Sequence, residues 1–375
     1  MKTAPRFSAA ALLVVLALAG CAPATGAAPS ATPTPTPTAT PTPTPTPDAL
    51  AAMSLADKVG QMFMVGTPVE GADPTTLAAV RDDRIGGVFL HGRSNAGTTA
   101  IADLVRGFTD AVPAGAPRLW VATDQEGGTV QVLSGPGFDR IPSAVDQAAQ
   151  DDTALRASAA AWAGQLAAAG VTMNLGPVAD IVTSPEFAAS NPPIGELARQ
   201  SGYDTATVAA KAGAFAAGMR DGGVLPTLKH FPGLGHVDDN TDYSTGVTDQ
   251  VVTGDGPDVG VYASILPQGD AVVMMSTADY ALIDPDVPAA FSPAVVGLLR
   301  DRLGFDGVIT VDDLSAADQV EVYSPGERAT RAVDAGVDLL LVSADPSVYP
   351  EMHRAVLARA ESDPAFAAKV DAAVR

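Results

Sequence analysis

Eight apolar runs alternating with helical stretches across residues 49–375 predict an α/β chain folded as a single (β/α)8 TIM barrel. The runs are rich in Val, Leu, Ile and Met and carry little polar alternation, as expected of parallel strands covered on both faces. A doubly wound open sheet would want a Gly-rich dinucleotide fingerprint after its first strand. None follows Gly66.

The elements follow in order from Met53, where Ser54 stands at an N-cap position before a short helical pattern ending at Gly60. Apolar runs at 61–66, 86–90, 119–123, 171–176, 224–229, 270–276, 306–311 and 337–343 then read as the eight strands. Helical stretches near 75–84, 98–111, 144–169, 203–221, 257–264, 292–303, 326–335 and 348–360 separate and follow them. In such a barrel the C-terminal ends of the strands share one mouth. Asp124 ends the third run, Asn174 and Asp180 follow the fourth, Lys229 and His230 end the fifth, and Asp312 and Asp313 end the seventh. Taken singly, a strand-end carboxylate is often a helix cap. Together these polar residues fall on one face of one scaffold.

The first 48 residues belong to another category. Lys2 and Arg6 precede an apolar run from Ala9 to Ala19, and Leu18-Ala19-Gly20-Cys21 closes it, which is the layout of a secretory leader. The close resembles a bacterial lipobox, implying a lipoprotein signal peptide over 1–20 and a lipid on Cys21. Cys21 is the only cysteine, so no internal disulfide is expected. Residues 21–48 are dominated by Ala, Pro, Thr, Ser and Gly, with Thr-Pro repeats, and predict a disordered, extended tether with polyproline II character. The expected location is extracytoplasmic, anchored by lipid to the outer face of the cell membrane, with no other membrane contact.

The formal charge is −21, and removing Lys2 and Arg6 with the leader takes it to −23, with 20 basic against 43 acidic side chains. So acidic a chain has no basic surface with which to grip phosphate backbones, which excludes nucleic acid as a partner. Histidines at 91, 230, 236 and 353 have no metal-ligand spacing, and neither a metal nor a cofactor is expected.

The densest chemistry lies in Leu228-Lys229-His230-Phe231-Pro232-Gly233-Leu234-Gly235-His236 and the acidic run to Asp242. An apolar run delivers a Lys and a His side by side into a loop punctuated by Gly233 and Gly235, which let the backbone turn sharply. With it go Asp124-Gln125-Glu126-Gly127-Gly128, Asn174-Leu175-Gly176-Pro177-Val178-Ala179-Asp180, and the stretch from Leu303 to Leu314 that ends Val311-Asp312-Asp313-Leu314. In this order and spacing the four segments resemble glycoside hydrolase family 3, particularly its single-domain branch of bacterial β-N-acetylglucosaminidases. The resemblance runs from about Met53 to the end of the chain.

The resemblance implies that Asp312 is the nucleophile of a retaining exo-β-glycosidase acting on a β-linked amino sugar, cell-wall-derived or otherwise. It implies that Asp124, Arg199, Lys229 and His230 bind the sugar, and it leads us to expect a monomer whose partner is a carbohydrate substrate. An Asp accepts two hydroxyl hydrogen bonds and a Lys donates up to three, so few side chains grip a polyol. Asp313 is expected to point elsewhere, into helix capping.

Three departures bear on activity. The family loop ends in Asp-Ser-His, whose His shuttles the proton; here those positions hold Asn240, Thr241 and Asp242. Asp242, if burial and the charge of Asp312 raise its pKa, is the first candidate for general acid, and His236 the second. The family's two arginines after Gly-Gly are Thr129 and Val132, which opens the sugar preference, and Val311 replaces a Ser or Thr before the nucleophile. The alternatives are a barrel that binds glycan without turnover, and a β-glycosidase or phosphorylase of different sugar specificity; the acidic loop at 238–242 argues against an anion there.

Overall fold

The computed structural model describes residues 52–375. The leader, Cys21 and the Thr/Pro tether lie outside the described residues. Eight parallel strands form the barrel: β1 (Phe63–Pro68), β2 (Gly87–His91), β3 (Trp120–Thr123), β4 (Met173–Asn174), β5 (Leu225–Phe231), β6 (Val272–Met275), β7 (Ile309–Val311) and β8 (Leu340–Val342). Each pairs with the next in chain order, β1 pairs with β8, and a bridge between Thr310 and Leu339 joins β7 to β8 and closes the ring.

Both faces of each strand are buried, for different reasons. Met64, Phe89, Ala122, Met173, Met274 and Leu341 come from strands all round the ring yet form one cluster, which a closed barrel allows only in its lumen. Their neighbours Phe63, Val65, Val88, Leu90 and Val121 turn outward and join Phe108, Leu166 and Phe215 of the surrounding helices. The period-2 alternation of a strand is present, but both classes of position are apolar, so the sequence reads as continuous runs.

The helix ends follow local capping chemistry. Ser54 and Asp57 make a reciprocal capping box at Leu55–Gln61. The stretch 144–169 is two helices, Ala144–Ala148 and Asp152–Ala168, because the Asp151 carboxylate takes the Ala154 N–H and starts the second afresh. A last helix, Pro364–Ala373, goes beyond the sequence expectation: Asp363 ends one helix and caps the next by accepting from the Ala365 and Phe366 N–H groups. None of the helices of the described residues is long and apolar enough to cross a membrane.

Candidate active site

Lys229 is the hinge of the mouth. It projects from β5 with its ammonium 2.7 Å from Oδ1 of Asp124 and 2.6 Å from Oε1 of Glu126. Asp124 follows β3 directly, and the next residues form the extended stretch Gln125–Gly127, so Asp124 and Glu126 reach the same cation at i and i+2. Gly127 turns this stretch with φ +112°, and a Cβ there would meet the Pro142 carbonyl at 2.2 Å.

Behind Lys229 stands a second cation. The Arg199 guanidinium donates through Nε and Nη2 to the two oxygens of Glu126, at 2.9 and 2.8 Å, and through Nη1 to the Pro193 carbonyl at 2.6 Å. Burial alone would raise the pKa of Glu126; Arg199 and Lys229 overcome it and hold the carboxyl at about 2. Burial alone would lower Lys229, and the Asp124 and Glu126 carboxylates more than reverse that. Both partners are thus locked in their charged forms.

His230 is fixed from the opposite side. Its Nδ1 lies 2.7 Å from Oδ2 of Asp180, whose Oδ1 accepts the backbone N–H groups of His230 and Leu234 at 3.0 and 2.9 Å. A proton on Nδ1 leaves the Nε2 lone pair toward Arg199 Nη2, 3.5 Å away. Burial raises the Asp180 carboxyl, but the His230 ring and the two N–H groups bring it below its usual value.

In front of Lys229 opens a cavity of about 310 Å³, with Asp124, Lys229, Asp242 and Asp312 in its wall and Phe89 and Leu175 at the barrel core beneath. Asp312 directly follows β7, its backbone N–H bound to the Met275 carbonyl at 3.0 Å and its Oδ1 accepting the Asp313 N–H at 2.9 Å. The Asp313 carboxylate turns to the β8 side: Oδ1 accepts the N–H groups of Ser315 and Ser343, both at 2.8 Å, so it caps turns and not a helix.

Asp242 arrives on the long loop after β5. Its N–H is held by Oδ1 of Asn240 at 2.9 Å, and the Thr241 carbonyl accepts the Gln319 N–H at 3.1 Å. The Gln319 side chain clamps the same loop further on, accepting the Val247 N–H at 2.8 Å and donating to its carbonyl at 3.3 Å. Asp242 reaches solvent through the mouth, yet protein surrounds most of it at longer range. That loss of bulk water, and then the charge of Asp312, push its carboxyl up to about 6 against the pull of Arg199 and His230.

His236 stands outside this cavity, contrary to its reading as second candidate for the acid. Nδ1 lies 2.7 Å from the Thr183 hydroxyl and Nε2 3.0 Å from Oδ1 of the buried Asp258. Gly235 accounts for the direction: a Cβ there would meet the Ile181 carbonyl at 2.0 Å, so only Gly lets the turn lie flat on the 181–183 segment. Burial lowers the His236 pKa, and the Asp258 hydrogen bond and charge more than restore it.

The geometry therefore brings Asp124, Lys229, Asp242 and Asp312 together in one wall, sets Arg199 and His230 behind it, and directs His236 away. Sequence reasoning gave no role to Glu126, Asp180 or Gln319. For Glu126 the signal was its place two residues after Asp124 in an extended stretch. Of the two positions where arginines are absent, Val132 is buried in the apolar core, and the exposed Thr129 gives its carbonyl to Arg93 Nη2 at 2.7 Å. Among the described residues, no three His, Cys, Asp or Glu side chains are grouped to hold a metal ion.

Comparison with known proteins gives one consistent answer. The model of the glycosyl hydrolase family 3 N-terminal domain matches residues 54–375. The beta-hexosaminidase LpqI of Mycobacterium tuberculosis is 33% identical over 305 residues, covering 78% of this chain and 74% of that protein. The crystal structure of a beta-N-acetylhexosaminidase from Beutenbergia cavernae superposes with a TM-score of 0.85 at 54% identity, covering 86% of this chain and 97% of that one. A family 3 beta-N-acetylglucosaminidase from a Paenibacillus species superposes with a TM-score of 0.79 at 30% identity, covering 86% of this chain and 61% of its own.

Proposed function

The chain belongs to glycoside hydrolase family 3, and on that footing we propose that it releases single β-linked amino sugars with net retention, Asp312 acting as nucleophile and Asp242 as acid and base. It is a glycoside hydrolase acting on β-linked amino sugars. The finer assignment rests on one observation: a carboxyl held at about 6 shares a cavity with a second carboxylate, Asp312. A glycosidase needs one carboxyl able to give a proton beside a second that attacks, and the raised Asp242 meets the first requirement.

In the first step an Asp312 oxygen attacks the anomeric carbon, the bond from that carbon to the leaving oxygen breaks, and protonated Asp242 gives that oxygen its proton. The product alcohol leaves, and the sugar remains as an ester of Asp312. In the second step Asp242, now ionised, takes a proton from water, the water oxygen attacks the anomeric carbon, and the ester bond returns its electron pair to Asp312. Asp124 and Lys229 hold the sugar hydroxyls as acceptor and donor. Arg199 acts one layer behind, keeping Glu126 and through it Lys229 in place, with the His230 ring beside its guanidinium.

Residues 49–375 form the catalytic domain in this reading, carried on the tether and the Cys21 lipid at the outer face of the membrane. The acidic surroundings of Asp242 disfavour phosphate in place of water, and the acid's raised pKa favours turnover over binding alone. The test is hydrolysis of an activated aryl β-N-acetylglucosaminide followed by proton NMR. The first-formed sugar is the β-anomer, and D312N abolishes turnover by at least about 10³-fold with the fold intact. An α-anomer first, or an active D312N, overturns the assignment.

A further inference from the structure

Tyr243 has no part in the two-step scheme, and its setting is unusual. It is the most exposed aromatic among the described residues, at 79%, and it lines the same cavity as Asp312. Leaving so much apolar ring in water is unfavourable, and a mobile tip would explain it. The backbone leading to it is instead held: the Tyr243 N–H binds the Asn240 carbonyl at 3.1 Å, and the preceding carbonyls of Thr241 and Asp242 accept the N–H groups of Gln319 and Asp318 at 3.1 and 3.4 Å.

The position of the ring follows from chemistry. A cavity of about 310 Å³ is at the lower end for a small-molecule site and suits one sugar ring, so the leaving group must lie at the rim. The proton donor acts on the leaving oxygen, and therefore marks the leaving-group side. Tyr243 is the next residue in the chain. The small residues Ala316 and Ala344, which also line the cavity and reach solvent, are too short to cover a ring.

We propose that Tyr243 forms the binding site for the leaving group, and that the group it takes is a second pyranose ring, laid with its C–H face on the aromatic face. The negative face of the ring attracts the polarised C–H groups, and the contact asks for no specific hydroxyl pattern. Tyr243 thereby sets a preference for a sugar over a leaving group that has no ring. This rests on the glycosidase reading and adds to it the class of leaving group.

The test compares two substrates of the same amino sugar: a β-1,4-linked N-acetylglucosamine disaccharide, and the β-glycosyl azide, which has no ring to stack. Y243A lowers kcat/KM on the disaccharide about 10-fold more than on the azide, and Y243W restores the disaccharide rate. Equal losses on both substrates, which a structural role would give, overturn the proposal, and so does no loss on either. A wild-type protein that hydrolyses the azide but not the disaccharide overturns this inference alone. Failure on both removes the glycosidase reading as well.

Discussion

Oε1 of Glu126 lies 2.6 Å from Nζ of Lys229, and both side chains are almost wholly buried. Glu126 is also the bidentate partner of Arg199, so one carboxylate serves two buried cations; without it Lys229 keeps Asp124, and Arg199 keeps only the neutral Pro193 carbonyl and the distant His230 ring. Removing one partner of a buried pair is far costlier than the pair is stabilising, because the remaining charge stays uncompensated. E126A is expected to lose about 3–5 kcal/mol of stability in urea unfolding. A loss under about 1 kcal/mol would mean that water reaches these cations freely.

The same carboxyl sets an acid limit. Its folded pKa, about 2, lies below its unfolded value, so its stabilisation is complete above the ordinary carboxylate range and is lost as pH falls through about 2. In acid unfolding followed from pH 5 to 2, the wild type should lose stability toward the low end, and E126Q should lack that component.

Asp242 behaves oppositely, since its folded value is raised to about 6. It donates only when protonated, so kcat/KM on a substrate with a poor leaving group should fall as pH rises through about 6. D242N should remove the limb and depress alkyl β-glycosides about 10²- to 10⁴-fold, with a much smaller loss in glycosylation by activated aryl glycosides. Equal losses on both substrate classes would exclude Asp242 as the acid.

The barrel was legible because most strand positions are apolar on both faces, so Met64 and its neighbours Phe63 and Val65 all read as buried. The mouth was legible because a parallel barrel puts all strand ends on one side, which places Asp124, Lys229 and Asp312 together without any contact being known. What escaped the sequence depends on where loops turn. His236 and Asp242 lie six residues apart on one loop, and contacts remote in sequence separate them: Gly235 lets the turn lie on the Ile181 carbonyl and His236 bind Thr183 and Asp258, while Gln319 holds the loop beside Asp242. The clamp from Gln319 joins segments 72 residues apart and has no local signature. The helix break before Asp152 and the last helix were hidden by Asp151 and Asp363, whose capping roles show only in their hydrogen bonds.

His236 provides the contrasting mutation. Both ring nitrogens serve Thr183 and Asp258 rather than the cavity, so H236A is expected to keep activity on alkyl and aryl glycosides within about threefold. Its cost is structural: the buried Asp258 carboxylate loses its partner, which destabilises the fold by about 1–3 kcal/mol. The pH dependence separates this from a general packing loss. The folded pKa of His236 is raised, so the charged pair stabilises fully below the ordinary histidine range, and that part is lost as pH rises through the folded value. Thermal unfolding of wild type and H236A should therefore differ most in mildly acidic buffer and converge toward alkaline pH. A gap that stays constant with pH would assign the effect to packing, and selective loss of activity on poor leaving groups would return His236 to the proton transfer.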